Sequence, residues 1–272
     1  MRSAVSAFQQ AHGLEPTGMV DQPTWERLVT ETGNQPPLVA YVITADDVNA
    51  MFTPEIPADI VQQSKLKALN YRSALEALAE KFHASPKLLS QLNAGASFQQ
   101  AGEQVVVPNV EVIDPPAPTP ADAKRAAATG TTGTPEMHVT IFVTAATSAL
   151  TVEDGTGKLL FHAPVTSGSE HDPLPLGQWK VTAVQQMPTF NYNPELFWDA
   201  NPTHAKARVA PGPNNPVGTV WIDITKEHYG IHGTPEPSLI GHTQSHGCVR
   251  LTNWDAQRVA RWAQPGTPVI FR

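Results

Sequence analysis

Apolar and polar positions alternate through most of the C-terminal half of the chain. Val139, Ile141 and Val143 mark one strand. Further short strands are predicted at Ala149–Val152, Leu159–Val165, Gln178–Val184, Thr219–Ile224, Tyr229–His232 and Pro268–Phe271. Asp154-Gly155 and Gly157 supply turn chemistry between the early ones. The period changes to helical near Asn253–Ala263, where Ala256, Val259, Ala260 and Ala263 share a face and Asn253 reads as the N-cap. Many short strands with one helix on the C-terminal side predict a mainly β domain, sandwich-like or barrel-like, over residues 137–272.

The N-terminal half has helical spacing instead. Residues 1–32 read as helix, turn, helix. Ala4, Val5, Phe8 and Ala11 or His12 form a stripe, Gly13-Leu14 ends the first helix, and Pro16-Thr17-Gly18 turns the chain. Asp21 caps the second helix, with Pro23 near its start and Trp25 and Leu28 expected on its inner face. Residues 33–66 carry weak signals and read as a connecting segment, with Ala45-Asp46-Asp47 a helix cap. Over residues 67–110, Leu75, Leu78, Ala79 and Phe82 follow one helix. Ser85-Pro86 opens a second, bearing Leu88, Leu89 and Leu92, and Gln104–Pro108 reads as a strand. These are small α and α+β modules. Residues 111–136 read as a linker: Pro115–Pro120 is extended and semi-rigid, and Ala126–Thr134 offers nothing to a core. The β domain is therefore expected to be separable and to hold all the chemistry.

That chemistry centres on the only cysteine, Cys248. It lies in Ser245-His246-Gly247-Cys248-Val249-Arg250, sixteen residues after His232-Gly233. A cysteine attacks carbonyls as thiolate and needs a base or an electropositive setting to lose its proton near neutral pH. Two histidines supply one. Gly247 lets backbone approach a substrate closely, and the amides around Gly247-Cys248 can face an oxyanion. Two other readings stand beside this one. A single cysteine can be a small buried hydrophobe. His242 and His246, four apart, could join Cys248 and His232 around zinc, although Gly241 and Gly247 argue against a helix there.

The order His232, a gap of twelve residues, then Ser-His-Gly-Cys resembles the active-site motif of the L,D-transpeptidases, the YkuD-type family that remodels bacterial peptidoglycan. The resemblance implies that Cys248 is the nucleophile and His232 the base, with the Gly233 carbonyl orienting the imidazole, and it places His246 and Gly247 in the oxyanion region. In many members an asparagine stands at the position of Arg250, and arginine there is also common. A guanidinium at that place can hold a substrate carboxylate. Ser245 is a further candidate substrate contact. Pro164–Gly168 followed by Pro175-Leu176-Gly177 looks like the family's early strand and glycine loop. The long insertion 188–218 carries Phe190, Tyr192, Phe197, Trp198 and His204. Similar proteins have a substrate-cleft loop here, which makes Tyr192 a candidate contact.

The implied substrate is a stem tetrapeptide ending in a diamino acid and D-alanine. The implied acceptor is another stem peptide, a wall-anchored protein, a free D-amino acid or, in a carboxypeptidase, water. No metal or other cofactor is implied. Residues 1–32 resemble part of a helical peptidoglycan-binding domain. Residues 67–110 are similar to the lysin-motif (LysM) glycan-binding module, down to Leu92-Asn93 and Val107-Pro108-Asn109, except that Tyr71-Arg72-Ser73 replaces the usual Gly-Asp-Thr. Glycan strands are thus a candidate partner. A catalytically idle wall-binding protein is the alternative from another class.

Composition narrows this picture slightly. The chain has 272 residues, 40% hydrophobic and 16% charged, which suits globular domains. The net charge is −7, carried almost wholly by the first 136 residues, so no basic nucleic-acid footprint is present. One cysteine forms no internal disulfide. No apolar run reaches the length of roughly 18 residues that a membrane helix needs. The N-terminus shows no signal-peptide pattern. Work on the wall requires the periplasm or cell surface, so the sequence is expected to begin late in a longer exported protein.

Overall fold

The computed structural model describes residues 2–112 and 138–272; the linker expected at 111–136 falls almost entirely outside them. Helices α1 (Arg2–Ala11) and α2 (Gln22–Glu31) form a hairpin. Asp21 caps α2 as expected, its carboxylate accepting from Thr24 N. The centre of the hairpin is polar. Gln9 is fully buried, its amide donating to Thr24 Oγ1 and Met19 O and accepting from Gly18 N. A pair of ten-residue helices encloses too little volume for an apolar core. Trp25, expected inside, is 57% exposed, because Thr24 takes the inward position beside Gln9.

The next unit corrects the boundary drawn at residue 67. Strand β1 (Leu38–Val42) lies in the segment read as a connector, yet it pairs antiparallel with β2 (Gln104–Pro108), Leu38 opposite Pro108 and Val42 opposite Gln104. Between them run α3 (Ala45–Asn49), α4 (Ile60–Gln63), α5 (Ala74–Lys81) and α6 (Pro86–Leu92). One core holds the unit together, with Ile43 from the β1 side, Leu78 and Phe82 from α5, Leu89 from α6, and Val105 and Val107 from β2. The cap of α3 is Thr44, in a reciprocal capping box with Asp47, one residue before the stretch expected to provide it. Ser85 and Pro86 open α6 as the sequence predicts.

Residues 138–272 form one mixed sheet. Its strands are β3 (Val139–Thr144), β4 (Ala149–Asp154), β5 (Leu159–Pro164), β6 (Thr166–Ser167) and β7 (Gly177–Gln186). After the small hairpin β8 (Phe190–Tyr192) and β9 (Ala207–Val209) come β10 (Val220–Ile224), β11 (Gly230–His232) and β12 (Val249–Arg250). Helix α7 (Asn253–Ala260) and strand β13 (Pro268–Phe271) complete the domain. The nine-stranded order is β5-β4-β3-β13-β7-β10-β11-β12-β6. Its two outer strands, β5 and β6, are consecutive in the chain and separated only by fully buried Val165. The sheet must therefore curl until its edges meet, which makes it barrel-like, as expected. Alternation drives the curl: Val139, Ile141 and Val143 of β3 and Val220, Ile222 and Ile224 of β10 all point into one core.

Helix α7 packs on β10 and β11. Its cap is Thr252, whose side chain accepts from Asp255 N. Asn253, read as the cap, is instead buried and bonded toward β10. Strands β6, β8, β9 and β12 are too short for a periodicity to mark them.

The expected separation of the halves meets several contacts. Leu69 N donates to Pro211 O and Leu69 O accepts from Asn214 N, at 3.0 and 2.9 Å. His83 stacks on Trp254, Glu111 pairs with Arg258 and Arg261, and α1 lies along β5. Among the described residues no helix is long and apolar enough to cross a membrane.

Candidate active site

Strand register assembles the site. β11 runs antiparallel to β10, with Trp221 opposite His232, and parallel to β12, with Ile231 opposite Val249 and His232 opposite Arg250. Ile231 and Val249 are fully buried in the core. Side chains alternate along a strand, so His232 and Arg250 take the other face, and Cys248, two residues before Arg250, shares it.

His232 is 4% exposed and lies flat on Trp221, ring centroids 5.3 Å apart. Its Nδ1 donates to the Gly233 carbonyl at 2.7 Å, leaving Nε2 as the free, proton-accepting nitrogen. Gly233 has no room for a side chain, since a Cβ would overlap the Asn253 amide oxygen. Burial, and then the Arg250 charge, push the imidazole down to about 3, against the Gly233 hydrogen bond. It is a neutral base across the physiological range.

Cys248 is half-buried. Burial raises its thiol, while a hydrogen bond with Gly230 backbone and the nearby Arg250 charge pull the other way. The sulfur donates to the His228 carbonyl at 3.7 Å, and His228 itself sits in the left-handed region, φ 65°. Among the described residues no hydrogen bond joins Sγ to His232. The resting pair is thus neutral thiol and neutral imidazole.

Gly247 (φ 96°) is required for a reason other than the expected one. A Cβ there would overlap the Tyr229 ring, so the close approach is to this protein's own tyrosine. Ser245, expected to touch substrate, is 3% exposed with its hydroxyl spent: Oγ donates to Cys248 O at 2.6 Å and accepts from Gly168 N at 2.7 Å. It ties the cysteine loop to the loop after β6. Tyr192 is buried as well, stacked with Phe197 and bonded through its hydroxyl to His204 Nδ1. It braces the 188–218 insertion from within. Arg250 is half-buried, touches the Gln244 carbonyl, and borders a cleft of about 210 Å³ with Thr166, Glu236 and Leu239. A second cleft of about 350 Å³ runs past Ser167, Gly168, Glu170 and Gln244.

His246 is held by a residue the sequence reading missed. Its Nε2 meets Asp199 Oδ1 at 2.7 Å, with Phe197 edge-on to the ring. Asp199 follows Trp198, which stacks on His171, so the insertion does reach the cysteine loop. No local pattern marks Asp199, since its partner lies 47 positions on in the chain. The zinc reading finds no support, since His246 is engaged with Asp199, His242 is exposed, and among the described residues no three His, Cys, Asp or Glu side chains gather as ligands.

Comparison with known proteins bears on this geometry. A model of the L,D-transpeptidase catalytic domain, the YkuD family, matches residues 136–271, half of the chain. The chain belongs to this family. Residues 1–28 match a model of a peptidoglycan-binding domain. The L,D-transpeptidase YkuD of Bacillus licheniformis is 46% identical over 59 residues, which are 22% of this chain and 36% of that protein. The L,D-transpeptidase YqjB of Bacillus subtilis is 29% identical over 113 residues, 39% of this chain and 56% of the relative. The matched regions thus span between about a third and about half of these relatives. Among solved structures, an L,D-transpeptidase from Mycobacterium smegmatis is 20% identical with a TM-score of 0.41, over 50% of this chain and 59% of that one.

Proposed function

We propose that this YkuD-family chain is a peptidoglycan L,D-transpeptidase that acts through Cys248. The observation that carries the reading is the register of β10, β11 and β12, which sets a neutral, carbonyl-oriented His232 on the same face as Cys248 and Arg250. The substrate is a stem tetrapeptide. His232 Nε2 takes the thiol proton as sulfur bonds to the diamino-acid carbonyl carbon, and the Gly247 and Cys248 amides receive the oxyanion. The proton passes to the departing amine, D-alanine leaves, and a thioester remains. An acceptor amine then attacks, gives its proton to His232, and restores the thiol. Arg250 holds a substrate carboxylate at the edge of its cleft. His246, fixed by Asp199, shapes the wall beside the oxyanion.

Residues 1–32 and the unit spanning β1 to β2 serve as wall-facing modules, the second as a lysin-motif-like module, and the protein works in the periplasm or cell wall, where cross-linking supports cell shape. The test is mass spectrometry of a purified stem tetrapeptide incubated with the protein and an amine acceptor. The expected product has lost D-alanine and gained the acceptor. Loss of D-alanine without gain would identify an L,D-carboxypeptidase, and an untouched tetrapeptide would contradict the reading.

A further inference from the structure

We propose that Asp59, in the N-terminal unit, is a positioning residue for the active site: through His204 and Tyr192 it sets the insertion 188–218, whose Phe197 and Asp199 hold His246 beside the nucleophile. This rests on the reading of Cys248 as that nucleophile. The insertion has little structure of its own. Its hairpin pairs only Phe190–Tyr192 with Ala207–Val209, and between those strands the one regular element is the short turn of helix Pro194–Leu196. A two-stranded ribbon of this length is marginal in water unless another element supports it.

The support comes from the N-terminal unit, at two places. Beyond β9, Leu69 exchanges backbone hydrogen bonds with Pro211 and Asn214. Asn214 is 5% exposed; its Nδ2 donates to Asn70 O at 2.9 Å and its Oδ1 accepts from Arg72 at 3.1 Å. Gly212 lies so close to Leu69 that a Cβ there would overlap the Leu69 backbone. At the hairpin itself, α4 packs against β9. Asp59 is the N-cap of α4, with Oδ1 accepting from Gln62 N at 2.8 Å, while Oδ2 meets His204 Nε2 at 3.0 Å. His204 Nδ1 in turn meets the Tyr192 hydroxyl at 3.2 Å. Tyr192 is 7% exposed, and among the described residues its hydroxyl has no other hydrogen bond. An ionised carboxylate only accepts, so in the neutral imidazole the proton sits on Nε2 and Nδ1 accepts from the hydroxyl. Without the carboxylate the tautomer is free to reverse, and the buried hydroxyl then faces an N–H.

From Tyr192 the contacts run on to the cysteine loop. Its ring stacks on Phe197, centroids 5.5 Å apart, and Phe197 stands edge-on to His246 at 5.0 Å. Two residues after Phe197, Asp199 Oδ1 meets His246 Nε2 at 2.7 Å. His246 precedes Gly247 and Cys248, whose amides are assigned to the oxyanion. A shift of the hairpin therefore moves both the ring and the carboxylate that fix this loop from one side. The N-terminal unit is part of the frame of the active site rather than a detachable tether.

The experiment uses the full chain with isotope-labelled histidine and records ring-nitrogen NMR spectra at about pH 8, where an ordinary histidine is neutral. H204Q and H246Q assign the two rings, and thermal melts report folding. Wild type should show both rings with the proton on Nε2. D59N keeps a good helix cap but brings one oxygen where the carboxylate has two. It should remove the fixed Nε2–H tautomer of His204 and displace the His246 signals, although residue 59 does not touch that ring. Its kcat/KM on stem tetrapeptide should fall roughly tenfold or more, as for a small misplacement far from the chemistry. In the Y192F background, which has no hydroxyl to satisfy, D59N should have no further effect. A folded D59N with wild-type His246 signals or wild-type kcat/KM overturns the proposal, as does an equal D59N effect with and without the Tyr192 hydroxyl. If D59N does not fold, H204Q decides, and wild-type His246 signals in it overturn the proposal. The spectra need no stem peptide, so failure of the transpeptidase reading would appear separately, as absent turnover in wild type.

Discussion

Cys248→Ala should abolish acyl transfer to the limit of detection while leaving the fold intact. No other cysteine exists to substitute for it. Ser245, the nearest hydroxyl in sequence, is committed to Cys248 O and Gly168 N. The thiol is half-buried and its polar contacts are with backbone, at His228 and Gly230, so losing one sulfur atom disturbs little packing. The check is turnover of stem tetrapeptide together with a thermal melt. Residual turnover equal to wild type would remove Cys248 from the mechanism. A large fall in melting temperature would give it the structural role of an ordinary buried cysteine.

His232→Ala should lower kcat/KM by roughly 10²–10⁴-fold, the usual worth of a general base. Burial keeps the imidazole neutral down to about 3 and raises the thiol, so the pair holds no thiolate at rest. Wild-type activity should therefore rise with pH through neutrality, following the thiol, and show no step at the ordinary histidine value. Stability carries a second signature. The folded-state value of His232 lies far below the unfolded one, so the unfolded chain binds a proton first. This contribution is complete above about pH 6.5 and is lost as pH falls toward 3. Melts across that window should show His232→Ala losing less stability than wild type. Parallel curves would mean that His232 is solvated rather than buried.

The candidate site residues were legible because the family motif falls in two short runs, His232-Gly233 and Ser245–Arg250, with twelve residues between His232 and Ser245. They come together through β11 and β12, a parallel pairing that the sequence does not report. What alternation marks was also legible: β3, β4, β5, β7, β10 and β13 fall near their expected places. The misses share a physical cause. β6 and β12 are two residues long, and pairing rather than periodicity makes them strands. β1 has no local partner, since its ladder is with residues more than sixty positions away. Ser245 and Tyr192 look like polar and aromatic surface groups in sequence, and only the fold shows their hydroxyls engaged. Asn253 stands beside a helix start and carries the right side chain for a cap. Its amide is drawn instead to Thr219, and Thr252 takes the cap. Asp199 meets His246 from 47 positions away in the chain, which no local pattern reports.

The central claim is that Cys248 forms a thioester inside an oxyanion site, and a carbapenem tests it most directly. A β-lactam carbonyl is a strained acyl donor, and a thiolate held near backbone donors opens it and keeps the fragment. The family resemblance implies that carbapenems react in preference to penicillins. Intact mass and peptide mapping of the full chain after incubation should show one carbapenem mass per chain, located in the peptide containing Ser245–Arg250. The rate should slow as pH falls, because the attacking species is the thiolate, and Cys248→Ser should stay unmodified. A folded, reduced sample that a carbapenem never modifies at Cys248 would contradict the account and leave a buried cysteine in a catalytically idle wall-binding protein.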